Sequence, residues 1–201
     1  MVAKTRIHLI RHGEVAGAGA PRYNGHHDVS LSARGEEQYR LLAQRFRHLP
    51  LAACYSSDLQ RCVWGAELLT EKLAISKWEK YRELRELNIG IWEGMTWDEI
   101  RSRYPDMWQE RLNDLVNFRV PQGENLLDVR DRVMPVLNRI VEQHRGEEVL
   151  VVAHGGVNRI ILLEAMGAPL SSLFCIEQQY CAVNVIDYYA DDRAVVQLMN
   201  G

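Results

Sequence analysis

Two arginines and two histidines stand beside small residues in three separate short segments of the chain. The segments are Arg11-His12-Gly13, Ser56 to Arg61, and His154-Gly155-Gly156. A planar guanidinium binds phosphate oxygens in pairs, with charge-assisted bonds about twice as strong as neutral ones. A neutral imidazole can attack phosphorus when its other ring nitrogen is held as a donor. If these segments meet in space, they therefore predict chemistry on a phosphoryl group.

Each of these segments follows a short apolar stretch and precedes a helix-like amphipathic pattern. The stretches are residues 6–10, 52–55 and 149–153, and the last is continuously apolar, as expected of a parallel strand covered on both faces. Alternating strands and helices predict an α/β fold, a doubly wound three-layer α/β/α sandwich around a mostly parallel sheet. Ligands of such sheets bind outside the carboxyl ends of the strands. We therefore expect the three turns to share one edge.

Several helix and strand boundaries can be predicted from local signals. Helices are expected at 32–47, after an Asp58 cap, after the capping box of Thr96 and Glu99, and from Leu126 to Ile140. Pro135 is expected to kink or locally break the last of these helices. Residues 182–189 and 194–198 should form paired strands across a turn.

Composition indicates an ordinary globular protein. Of 201 residues, 47% are hydrophobic and 25% charged, and the formal charge of −3 gives no general attraction to nucleic acid or anionic lipid. The sequence contains no signal-peptide pattern and no apolar run approaching the roughly 20 residues of a membrane span. We expect a cytoplasmic protein whose partner is a small phosphorylated metabolite, neither nucleic acid nor membrane. A homodimer is compatible with the sequence, which leaves the oligomeric state open.

The complete set of motifs resembles the histidine phosphatase superfamily in its phosphoglycerate-mutase-like branch. The motifs follow the family order and span nearly the whole chain: Arg11-His12-Gly13-Glu14, residues 22–35, Ser56 to Arg61, residues 85–94, Gly123-Glu124 and Ala153-His154-Gly155-Gly156. An Arg-His-Gly triplet alone would be weak evidence, whereas the ordered set is specific.

The resemblance implies a role for each matching residue. His12 would be the nucleophile that becomes phosphohistidine, and Arg11, Arg61 and His154 would hold the phosphoryl oxygens. Glu86 would protonate the leaving oxygen and then activate water. The backbone around Asn24, Gly25 and Gly155 would complete the pocket. The resemblance implies neither a metal nor a cofactor.

The resemblance also implies a single domain, residues 1–201, in which residues 91–123 form a flap over the pocket and determine substrate choice. Trp92, Trp97 and Trp108 fall in or beside this flap, and as tryptophans they are interpreted as core residues before substrate wall. His26-His27 is interpreted as a polar loop pair before a metal site, because no third ligand has zinc-like spacing.

The chain departs from the family pattern in the loop after the first motif. Many members carry a phosphate-contacting asparagine seven residues after the first arginine, where this chain has Ala18. Whether Asn24 replaces that contact is open. Whether Glu14 and Glu124 orient the site or belong to solvated loops is open as well.

The leading functional hypothesis is a metal-independent phosphomonoesterase acting on a small organic phosphate. The segment from Ala153 to Arg159 and the short flap resemble the α-ribazole phosphatases, which makes α-ribazole 5'-phosphate a candidate substrate. The alternative is a 2,3-bisphosphoglycerate-dependent phosphoglycerate mutase, although the flap arginines are not adjacent as they are in mutases. A second alternative is a non-catalytic module that binds a phosphorylated ligand.

Overall fold

Six strands form one sheet in the computed structural model, which describes residues 3–19 and 22–201. The strands run in the order β3-β2-β4-β1-β5-β6. The first four are mutually parallel, whereas β5 is antiparallel to both β1 and β6. The strand bounds are β1 Lys4–Arg11, β2 Leu51–Ser57, β3 Trp78–Tyr81, β4 Glu148–Ala153, β5 Val183–Tyr189 and β6 Ala194–Leu198.

Helices cover both faces of this sheet, which confirms the doubly wound α/β class. Alternate residues of β1 point to opposite faces, so Ile7 and Leu9 pack with α5 and α6 while Ile10 packs with α1 and α2. Burial on both sides explains the continuous apolar run of β4. The helix bounds are α1 Ala33–Phe46, α2 Gln60–Lys72, α3 Trp97–Arg103, α4 Pro105–Asn113, α5 Leu126–Gln143 and α6 Gly155–Met166.

Two of the predicted helix caps are confirmed and one is wrong. Ser32 accepts a hydrogen bond from the backbone of Gly35, and Thr96 forms a reciprocal capping box with Glu99. Asp58 does not cap α2, which begins after Leu59 without a side-chain cap. The Asp58 carboxylate instead receives two hydrogen bonds, of 2.6 and 2.7 Å, from the guanidinium of Arg85.

The remaining secondary structure differs from the prediction in small ways. α5 is continuously helical through Pro135, so the predicted local break is wrong. The strand predicted to begin at residue 182 begins at Val183, and its pairing with β6 is confirmed. β3 was not predicted, because its four residues lie at the sheet edge and carry no apolar alternation.

The segment from residue 91 to 123 contains α3 and α4 and has its own apolar cluster. Trp92 is fully buried there against Tyr104, Trp108 and Phe118. Trp97 is 42% exposed and lines the cavity described below, so it is wall instead of core. No helix in the described part of the chain is long and apolar enough to cross a membrane.

Candidate active site

The three turns singled out in the sequence meet at the carboxyl edge of the parallel strands. The rings of His12 and His154 lie 5.2 Å apart at their centroids, because β1 and β4 are neighbours and end in register. Arg61, at the start of α2, reaches the same place and is 1% exposed. These side chains line a cavity of about 440 Å³ together with Arg11, Glu86, Asn24, Gly25 and Gly155.

His12 is held in a single orientation by the turn that follows β1. Its Nδ1 lies 2.8 Å from the carbonyl oxygen of Gly13, so Nδ1 carries the proton and Nε2 keeps its lone pair. Burial lowers the pKa of His12 well below its ordinary value, and Arg61 and Arg11 lower it further. The imidazole is therefore neutral at neutral pH and has the form that a nucleophile requires.

Glycine at position 13 permits this turn. A Cβ on Gly13 would lie 2.6 Å from the backbone oxygen of Gly35, at the start of α1. The close contact fixes the turn against the helix, and with it the carbonyl that orients His12.

Arg61 and Arg11 have different environments. Arg61 donates to the carbonyl oxygens of His27 and Gly25, at 2.9 and 2.8 Å. Arg11 donates to the carbonyl of Gln178, but its buried Nε has no acceptor within residues 3–19 and 22–201. A buried guanidinium with an unused donor is suited to an anion.

His154 is fully buried and caps the start of α6. Its Nδ1 accepts a 3.3 Å hydrogen bond from Nε of Arg61, which leaves Nε2 as the protonated nitrogen. Burial lowers the pKa of His154 well below its ordinary value, with a further contribution from Arg61. His154 can therefore donate a hydrogen bond to an oxygen while remaining uncharged.

Glu86 lies at the opposite side of the cavity and is held by backbone donors. Its two carboxylate oxygens accept from the nitrogens of Leu87, at 2.9 Å, and Gly156, at 3.0 Å. A Cβ on Gly156 would lie only 2.5 Å from Oε1 of Glu86. The glycine therefore makes room for the carboxylate.

Glu124 supports the segment that carries Glu86. Its carboxylate receives two hydrogen bonds from Arg132, and Arg132 donates in turn to the backbone oxygen of Glu86 at 2.9 Å. Within the described residues, Glu14 makes no comparable contact with a histidine or arginine of the site. It accepts from Ser32, near the start of α1.

The backbone residues predicted to complete the pocket have separate roles in the geometry. Gly25 has a positive φ of 47° and supplies the carbonyl that holds Arg61. A Cβ on Gly155 would lie 3.4 Å from Nε of Arg11, so the glycine keeps that donor accessible. Asn24 and Ala18 together border a smaller cavity of about 170 Å³ that adjoins Arg11, so Asn24 lies near the contact that Ala18 lacks.

Several lining residues carried no signal in the sequence. The ring of Tyr180 covers Arg11, with 4.1 Å between the guanidinium carbon and the ring centroid. Arg111, Arg159 and Phe174 line the outer part of the cavity. Each stands in a local pattern typical of solvated or core residues, so only the fold assigns it to the site. His26 and His27 are not part of a metal cluster, since no group of three His, Cys, Asp or Glu in the described ranges could hold an ion.

The fold and the cavity define an α/β protein with a histidine- and arginine-lined pocket for an anion at the carboxyl edge of its sheet. A family model described as "Histidine phosphatase superfamily (branch 1)" matches residues 7–201. The chain belongs to this superfamily and is an enzyme.

Individual relatives agree with this assignment. An Escherichia fergusonii protein named "Probable phosphoglycerate mutase GpmB" is 28% identical over 183 residues, 91% of this chain and 85% of that one. The Bacillus stearothermophilus protein YhfR is 29% identical and superposes with a TM-score of 0.88, covering 96% of both chains. The α-ribazole phosphatase of Shigella flexneri is 26% identical, with a TM-score of 0.84 over 98% of this chain and 96% of that one.

Proposed function

We propose that this enzyme is a metal-independent phosphomonoesterase that works through a phosphohistidine at His12. The observation that carries the proposal is the neutral, Nδ1-protonated imidazole of His12 beside two buried arginines. Such an imidazole presents a lone pair on Nε2 where Arg11 and Arg61 attract a phosphoryl group.

The reaction would take place in two steps with Glu86 transferring the proton. Nε2 of His12 bonds to phosphorus as the ester P–O bond breaks, and the leaving oxygen takes a proton from the carboxyl group of Glu86. Water then attacks phosphorus, gives a proton to Glu86, and the N–P bond breaks to release phosphate. The carbonyl of Gly13 stabilises the positive charge that develops on the ring during the first step.

The oxygens of the transferring group would be held by donors on three elements. Nε of Arg11, the terminal nitrogens of Arg61 and Nε2 of His154 are the available groups. The start of α6, behind Gly155, adds the positive end of a helix dipole.

A small organic phosphate suits the cavity of about 440 Å³. α-Ribazole 5'-phosphate is one candidate, supported by the resemblance in the segment from Ala153 to Arg159 and by similarity to an α-ribazole phosphatase. The named mutase among the relatives favours phosphoglycerate mutase as the second candidate function.

The test is a screen of phosphorylated metabolites that measures phosphate release over many turnovers. A phosphatase releases phosphate steadily and in excess of enzyme. A mutase instead converts 3-phosphoglycerate to 2-phosphoglycerate, with a requirement for the bisphosphate and little release. Release limited to a single burst, or none, would contradict the phosphatase proposal.

A further inference from the structure

The cavity around His12 carries more positive charge than one phosphoryl group requires. Two carboxylates, Glu86 and Glu177, face it, against the five arginines Arg11, Arg22, Arg61, Arg111 and Arg159. A phosphomonoester dianion neutralises only part of this excess. The remaining charge lies away from His12 and needs a different explanation.

Arg111 of α4 is the first of the two arginines in question. It is only 6% exposed, although charged side chains are rarely buried without a partner. Its guanidinium carbon lies 5.4 and 5.6 Å from the ring centroids of Tyr23 and Phe174. No carboxylate in the described ranges forms an ion pair with it. Cation–π contacts therefore take the place of a counter-ion.

Arg159 of α6 approaches the same part of the cavity from the other side. Its Nε donates to the carbonyl oxygen of Ile176 at 2.7 Å, which fixes the side chain and leaves the terminal nitrogens free to bind a ligand. Its guanidinium carbon lies 6.0 Å from the ring centroid of Phe174. Because Arg111 lies within the same distance of that centroid, the two guanidinium groups are at most about 12 Å apart.

The wall between the two arginines is apolar and aromatic. Phe174 is 59% exposed and Trp97 is 42% exposed, and both line the cavity with Tyr23. Large exposed aromatic groups on a cavity wall are typical of a surface that an apolar ligand covers.

We propose that Arg111 and Arg159 bind a second anionic group of the substrate, a carboxylate or a phosphate, carried on an apolar body that packs against Phe174. This subsite rests on the proposed phosphatase activity and narrows its substrate class. It does not rest on α-ribazole 5'-phosphate, whose ribazole part carries no second anion.

Three aryl phosphates test the subsite: 4-carboxyphenyl phosphate, its neutral isostere 4-carbamoylphenyl phosphate, and 1,4-phenylene bisphosphate. The readout is kcat/KM for each ester in the wild type, Arg111→Gln and Arg159→Gln. Arg103→Gln is the matched control, since Arg103 is an exposed arginine of α3 outside the cavity.

The wild type should prefer the carboxylate over the amide by about 10-fold or more, as expected for hydrogen bonds to a charged group. That ratio should fall towards one in Arg111→Gln and Arg159→Gln and persist in Arg103→Gln. A purely structural role for either arginine would lower all three rates and preserve the ratio. The bisphosphate then distinguishes a second phosphate from a carboxylate.

A wild-type ratio near one, or a ratio that survives both substitutions, would overturn the subsite while leaving the phosphatase activity intact. If no ester is hydrolysed, the proposed function fails instead. Binding of (4-carboxyphenyl)phosphonate and (4-carbamoylphenyl)phosphonate, measured by calorimetry, then tests the subsite without turnover. Equal affinity for the two phosphonates would refute it.

Discussion

Oε2 of Glu86 lies 3.0 Å from the backbone nitrogen of Gly156, the second residue of the helix that follows His154. The same helix therefore carries a phosphate-binding histidine at its cap and, within its first turn, a donor that orients the proposed acid. The space for that acid exists because position 156 has no side chain: a Cβ there would meet Oε1 of Glu86 at 2.5 Å.

Gly156→Ala should displace the carboxylate while preserving the fold. Alanine is favourable by roughly 1 kcal/mol over glycine inside a helix, and the clashing atom is the end of a flexible side chain. We expect unchanged or slightly higher thermal stability and a loss of about 10-fold or more in kcat on alkyl phosphates. Calorimetry and steady-state phosphate release measure the two effects. Wild-type turnover would show that Glu86 need not occupy its present position.

Glu86→Gln should lower turnover in a manner that depends on the leaving group. Proton transfer by a positioned acid contributes about 10²–10⁴-fold. Alkyl phosphates have poor leaving groups and should lose most, whereas p-nitrophenyl phosphate should lose least. The comparison is kcat for both substrate classes in variant and wild type. Equal losses would assign the acid to another group, with Glu124 or a protonated His154 examined next.

Turnover should label His12. Rapid quenching with labelled substrate should give a phosphoryl group that is lost in acid and kept in alkali, as phosphoimidazole is, and peptide mapping should locate it at His12. His12→Ala should abolish the label, His154→Ala should slow turnover without preventing labelling, and the surface substitution His48→Ala should change neither. An acid-stable label, or one on a peptide lacking His12, contradicts the mechanism.

Activity should survive EDTA. In the proposed mechanism His12 supplies the nucleophile, while Arg11 and Arg61 neutralise the phosphoryl charge, so a metal ion has no step to perform. Phosphate release should be equal before and after dialysis against the chelator. A loss that added Mg²⁺ or Zn²⁺ restores would require a different mechanism.

The protein should become less stable as the pH falls below about 6.5. The pKa values of His12 and His154 are well below their ordinary value of 6.5 in the fold, mainly because both rings are buried. Below this pH the unfolded chain therefore binds protons that the folded chain does not, which favours unfolding. Above it both states are neutral at these residues and contribute no slope.

Urea unfolding at about pH 7.5, 6.5 and 5.5, which spans the ordinary histidine pKa, measures this dependence in wild type and in a His12→Asn/His154→Asn double variant. The unfolding free energy of the wild type should fall across the lower half of that range, and the double variant should show a shallower fall. Identical slopes would show that these two histidines do not cause the acid sensitivity.

The class of fold and the edge that carries the site could be predicted from the sequence. Apolar runs followed by turns identify parallel strands, and the carboxyl ends of such strands must meet, so their positions in the chain suffice to bring Arg11, His12 and His154 together. Local caps such as Thr96 with Glu99 were equally readable, since both partners lie within one helical turn.

The tertiary structure alone decided where long-range polar partners lie. Asp58 has the sequence context of a helix cap, but the fold places Arg85 beside it, and a bidentate ion pair outcompetes a single cap bond. Glu124 likewise supports Glu86 only because α5 brings Arg132 between them. The roles assigned to the site residues, the flap, a cytoplasmic location and the oligomeric state remain predictions.

The outer part of the pocket illustrates the same limit. Arg111, in a short polar helix, and Arg159, within an apolar one, each resemble ordinary surface or helix residues in the sequence. They become a paired anion site only where α4 and α6 place them on the two sides of Phe174. The sequence determined the strand edge because apolar periodicity is local, whereas burial of a charge without a counter-ion is a property of the folded chain.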